Sequence, residues 1–192
     1  MVEPHQQPLR LVRTWIVAIL ALVGGGLLCC GALTGFVGLA MMPMQQQVMA
    51  TMPSDPAVQA QLALQDELLP WQVLGLVLQT LASAGLIAGG VGLILRRRWG
   101  RTLGLLGGGL ALAYLAVSAF ATARTFDAMF EAMPPDPNVP PEAFRMGMVI
   151  GAVAAGGCFA GIPIVCMILL LTPAVSAEIK AWESWRRAAD AF

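Results

Sequence analysis

Charged positions are spread so unevenly along the chain that four long stretches contain none of them: Thr14 to Ser54, Leu68 to Leu95, Thr102 to Ala123 and Met146 to Ala177. Within these stretches Leu, Val, Ala and Gly follow one another without the period-two alternation of a half-buried strand. A helix of about 20 apolar residues, rising about 1.5 Å per residue, crosses a hydrocarbon layer of roughly 30 Å, and every stretch reaches that length. Only helices and closed barrels satisfy their backbone in lipid, and barrel strands would alternate. The pattern therefore predicts an all-α fold, a four-transmembrane-helix bundle.

The basic residues orient it, because Lys and Arg beside membrane spans are retained in the cytoplasm. Arg10 and Arg13 precede the first stretch, Arg96, Arg97, Arg98 and Arg101 fill the turn between the second and third, and Lys180, Arg186 and Arg187 follow the fourth. The opposite loops hold only Arg124 and Arg145, against the acids Asp55, Asp66, Glu67, Asp127, Glu131, Asp136 and Glu142. Both termini are expected in the cytoplasm, in a multi-pass protein of a bacterial-type inner membrane. Trp15, Trp99, Trp182 and Trp185 on the basic side and Trp71 on the other lie where indole rings favour the headgroup level.

On this reading residues 1–13 are a cytoplasmic tail. Residues 14–98 form a first hairpin with its outer turn near 52–58, and 99–172 a second with its outer turn near 133–141. The two outer turns read Met52-Pro53-Ser54-Asp55-Pro56-Ala57-Val58 and Met133-Pro134-Pro135-Asp136-Pro137-Asn138-Val139, and five of seven positions match. They point to two duplicated helical hairpins. Asp capping a helix with Pro at its first position gives the same match a purely local origin. A helix opening at Pro56 and running to the arginines overshoots the bilayer, which lets the hairpins rise above it as a short stalk. Pro43 and Pro70 are candidate kinks. Residues 173–192 then read as a cytoplasmic amphipathic tail helix: Thr172-Pro173 starts it, Val175, Ile179, Trp182 and Trp185 make its apolar side, and it suits the membrane interface.

Composition sharpens this picture mainly by exclusion. The 192 residues are 58% hydrophobic and 11% charged, with a formal net charge of zero, so no basic field exists to attract nucleic acid. The mean hydropathy of +0.75 is that of a chain made of spans. Small residues recur at four-residue spacing, as in Gly31 and Gly35, Gly85 and Gly89, Gly100, Gly104 and Gly108, and Gly147 and Gly151, which permits close helix packing within the bundle or against a second copy. No ionisable group lies in the middle of a span, which argues against coupled transport. The polar residues that remain there, Thr34, Gln72, Gln79, Thr80, Ser83, Tyr114 and Ser118, are expected to bond across helices.

No catalytic set and no cofactor site is legible. His5 stands alone in a Pro- and Gln-rich tail, and Cys29, Cys30, Cys158 and Cys166 fall inside spans, where they serve as small apolar packing groups. Arg124, Asp127, Glu131 and Glu142 are the only polar group near one interface that would serve a membrane enzyme, and mixed exposed charges of this kind read as a solvated loop. Met41, Met42, Met44, Met49 and Met52 crowd the outer end of the first stretch, and soft thioethers select Cu(I). They are the metal candidates, although Met is equally a flexible filler.

The run Gly92-Leu93-Ile94-Leu95-Arg96-Arg97-Arg98-Trp99-Gly100-Arg101 resembles the basic cytoplasmic turn of many small bacterial four-helix inner-membrane proteins without an assigned activity. So does Leu169-Leu170-Leu171-Thr172-Pro173-Ala174-Val175. The likeness covers two short patches and implies a topology but no chemistry. The function expected is that of a non-catalytic structural or accessory component of a membrane complex, with the lipid bilayer, a homo-oligomer or a complex subunit as partners. The alternative is a small oligomeric channel, for Cu(I) in its sharpest form, with the Met-rich ends at its mouth.

Overall fold

The computed structural model describes residues 11–50, 56–132 and 141–189. They form five helices: α1 (Leu11–Ala50), α2 (Pro56–Ile94), α3 (Arg98–Ala132), α4 (Pro141–Leu171) and α5 (Pro173–Ala189). The fold is all-α. Helices α1, α2 and α3 contain stretches long and apolar enough to cross a membrane, Arg13–Val48, Ala63–Ile94 and Arg98–Ala128. The fourth stretch is bent instead: Ala160–Leu171 and Pro173–Trp182 meet at 61°, and they pass as one span only when taken together. The matched turns that motivate a duplication lie outside the described residues except at Pro56, Ala57 and Val58, which belong to α2.

Each helix packs on its neighbour in sequence, and α4 closes back on α1, so the four long helices make a ring. At 40 residues α1 is about 60 Å long, twice the hydrocarbon thickness. Neither Pro43 nor Pro70 ends its helix. Large apolar residues point outward along α1, among them Ile16, Ile19, Val23, Leu27 and Phe36, each close to half exposed. Lipid rather than water is the solvent that suits such a surface.

The closest pairing is between α2 and α3, and glycine makes it so. Gly85 lies against Gly107, Gly89 against Gly104 and Gly92 against Gly100. A Cβ added to Gly85 would stand 2.9 Å from the Gly107 Cα, one on Gly89 2.6 Å from the Gly104 Cα, and one on Gly92 2.5 Å from the Gly100 Cα. Backbone therefore meets backbone over more than two helical turns, the arrangement that gives dispersion contact when lipid supplies no hydrophobic drive between helices. The register departs from simple four-residue spacing once on each helix, between Gly89 and Gly92 and between Gly104 and Gly107. Gly107 faces α2, whereas Gly108 turns to α4, where a Cβ would lie 2.6 Å from the Met167 Cγ. Gly147 and Gly151, in the acidic half of α4, do not pack, since a Cβ on either would meet nothing within 4 Å.

Candidate functional site

The bundle has two unlike ends, named here by their charges. At the basic end the chain seals itself. Val17, Ala18, Leu93, Leu170, Val175 and Ile179 form one buried cluster drawn from α1, α2, α4 and α5. The apolar side of α5 thus faces the bundle interior, not only the membrane interface, and the 61° bend rather than a straight continuation of α4 brings it there. Polar contacts fix the arrangement. The Thr14 hydroxyl donates to the Glu178 carboxylate. The Arg101 Nε donates to the Leu170 carbonyl at 2.8 Å, taking up an acceptor that the end of α4 leaves without a helical donor.

Arg96 completes the seal. It carries a positive φ of 55°, uncommon outside glycine, at the turn between α2 and α3. The Arg97 N–H donates to the Gly92 carbonyl and the Arg96 N–H to the Leu93 carbonyl, the paired bonds of a Schellman cap with arginine at the position glycine usually takes. The guanidinium of that same arginine lies 3.7 Å from the centroid of the Trp182 ring of α5. A cation–π contact of about 1 kcal/mol offsets the backbone cost of about 1 kcal/mol.

The acidic half is open. A crevice of about 450 Å³ lies among α1, α2 and α3, and among the described residues none of α4 lines it. Two polar stripes face it. Gln65, Gln72 and Gln79 repeat every seven residues along α2, and Tyr114, Ser118 and Thr122 every four along α3, so each set lies on one side of its helix. Helix α1 contributes Gly35 and Gly38, and at Gly38 a Cβ would meet nothing within 4 Å, so the helix wall there is bare backbone beside open space. Trp71 stands at the rim with its ring 4.9 Å from that of Phe120, tilted by 57°.

Gln79 forms the floor. It is buried, and its amide nitrogen donates to the Leu28 carbonyl at 3.1 Å while resting on Gly31, where an added Cβ would push the amide aside. One turn below, the Ser83 hydroxyl donates to the Gly25 carbonyl at 2.9 Å. These two residues bond across helices as the sequence predicts. Thr34 and Thr80 instead return their hydroxyls to carbonyls of their own helices, Gly31 and Leu76. Gln72, Tyr114 and Ser118 do neither: they line the crevice, and among the described residues their side chains make no hydrogen bond within the protein. Gln65 and Thr122, unremarkable in linear order, join them, and the seven- and four-residue spacings are the signal that exposes them.

The remaining candidates scatter. Met41 and Met44 are exposed on α1, Met42 turns to the crevice, Met49 lies on α1 with its side chain outside the described ones, and Met52 lies outside the described residues. Cys29 is half-buried, Cys30 exposed and Cys166 buried, all as free thiols. Among the described residues no three His, Cys, Asp or Glu side chains come together as a metal set. Arg124, Asp127 and Glu142 are exposed, with the Arg124 guanidinium 5.7 Å from the centre of the Phe120 ring, and the Glu131 side chain is outside the described ones. No family model, curated protein or solved structure matches the chain.

Proposed function

We propose that the protein is a four-span component of a bacterial-type inner membrane, with both termini in the cytoplasm and a non-catalytic accessory role in a membrane complex. Helix α4, 31 residues long, supplies the fourth crossing, and α5 is the cytoplasmic tail helix folded back onto the basic end. The topology is supported by the gathering of Arg13, Arg96, Arg97, Arg98, Arg101 and Lys180 at the end where α1 begins, α2 turns into α3 and α5 docks. Cations so grouped at one end of a bundle are what retention in the cytoplasm selects.

The observation that carries the accessory reading is the contrast of a sealed end and an open, uncharged crevice within one bundle. Val17, Leu93, Leu170 and Val175 are all but inaccessible and stop any path through a single copy. The crevice is a place to hold something, and its lining of amides and hydroxyls, with no carboxylate, imidazole or cysteine, suits binding rather than bond-breaking.

Two experiments test this. A reporter active only in the cytoplasm, fused behind Phe192, is expected to be active, and the same reporter placed within 133–140 silent; the reverse pattern overturns the topology. Native electrophoresis of membranes solubilised in mild detergent is expected to find the tagged chain in an assembly much larger than one or two copies. Migration as a free monomer removes the accessory role.

A further inference from the structure

We infer that the crevice at the acidic half binds the uncharged head of a membrane lipid that carries both a hydroxyl and carbonyl oxygens, a head of the diacylglycerol type. This goes beyond the accessory role and does not depend on a partner being found.

The size suits a small molecule. A volume of about 450 Å³ lies within the range of small-molecule sites. The lining decides the charge. None of its fifteen residues is ionised at neutral pH, and an anionic or cationic head would be held there without a counter-charge, which a low-dielectric site penalises heavily.

The hydrogen-bonding groups then decide the chemistry. Gln79 commits its amide nitrogen to the Leu28 carbonyl, which leaves its carbonyl oxygen as an acceptor without a protein partner at the floor. A second acceptor is built into α1. Pro43 has no N–H, so the Leu39 carbonyl four residues earlier lacks its helical donor, and Leu39 lines the crevice. Acceptors of this kind call for a hydroxyl on the ligand. Tyr114, Ser118 and the Gln72 amide bring donors with no partner among the described residues, and they call for carbonyl oxygens. Leu39, Leu76 and Val117 beside them offer an apolar path for a chain.

The test uses the full-length protein in nanodiscs and isothermal titration calorimetry with three probes: dioctanoylglycerol, dioctanoyl phosphatidic acid with the same tails and a charged head, and decylubiquinone with carbonyls only. Dioctanoylglycerol is expected to bind saturably, at least tenfold tighter than either of the others. Gly38→Phe, which fills open space, abolishes that binding, and Tyr114→Phe and Gln72→Leu each weaken it about tenfold, the worth of one hydrogen bond at the upper end of its range. Gly26→Phe is the control, because its Cβ also meets nothing within 4 Å but Gly26 does not line the crevice; it leaves binding unchanged. Failure of the wild type to bind dioctanoylglycerol overturns the inference, as does equal affinity in Gly38→Phe and Gly26→Phe. Tighter binding of phosphatidic acid or of the quinone overturns the head chemistry assigned.

Discussion

The same residue type does opposite things at the two ends of this bundle. Toward the basic end Gly85, Gly89 and Gly92 lie directly against Gly107, Gly104 and Gly100, and backbone closes on backbone. Toward the acidic end Gly38 borders open space in the crevice, and Gly147 and Gly151 face nothing. The difference teaches that a glycine in a membrane helix is an opportunity for close approach, not an instruction to take it. Where the opposite helix also presents a bare backbone the two main chains close, and where it presents a side chain, as Met167 at Gly108, the glycine seats that side chain instead.

The sharpest way to break this comparison is one large side chain placed at each kind of site. Gly89→Leu is expected to cost about 3 kcal/mol, because its Cβ would overlap Gly104 and neither backbone can yield without parting α2 from α3. Gly147→Leu, whose Cβ enters open space, is expected to change stability by less than about 0.5 kcal/mol. Denaturant titration in detergent micelles measures both, and similar losses at the two positions would erase the distinction.

A smaller effect tests how the basic end is sealed. Thr14→Val removes the hydroxyl that donates to the Glu178 carboxylate, and a loss of about 1.5 kcal/mol is expected for a part-buried bond to a charged group. Protease sensitivity of α5 rises in parallel. If stability is untouched, the apolar contacts of Val175 and Ile179 hold α5 alone.

At the open end, Gln79→Leu is expected to cost about 1 kcal/mol, since interhelical hydrogen bonds in membranes are worth little individually and the Leu28 carbonyl keeps its helical donor. The smallest net change is at the turn. Arg96→Gly relieves a positive φ but gives up the contact with Trp182, so it is expected to be close to neutral. With Trp182→Ala already present, the same change stabilises by about 1 kcal/mol. A thermal-melt double-mutant cycle reads that sign, and additive effects would show that Arg96 and Trp182 are not coupled.

Much of the fold was legible in the sequence because membranes enforce a simple rule: a charge-free run of sufficient length becomes a helix. The break at Thr172-Pro173 followed from local capping chemistry. The crevice did not, for a geometric reason. Gln65, Gln72 and Gln79 were spread over fifteen positions among leucines, and Tyr114, Ser118 and Thr122 lay on another helix. Each stripe appears only when the helix is projected, and that the two face one another follows from the α2–α3 register set by glycine. The same register explains why Gly108, apparently the next member of the Gly100 and Gly104 series, serves α4 instead. The packing of α5 into the bundle also escaped a linear reading, since Val175 and Ile179 look alike whether an amphipathic helix lies on lipid or on protein.

The connection between α2 and α3 has a consequence for how the bundle is built. Only Leu95, Arg96 and Arg97 separate the two helices, and three residues reach about 10 Å, the distance between the axes of touching helices. Such a short tether leaves the second helix no place but beside the first. The pair forms one rigid edge of the bundle, and α1 and α4 come to rest against it.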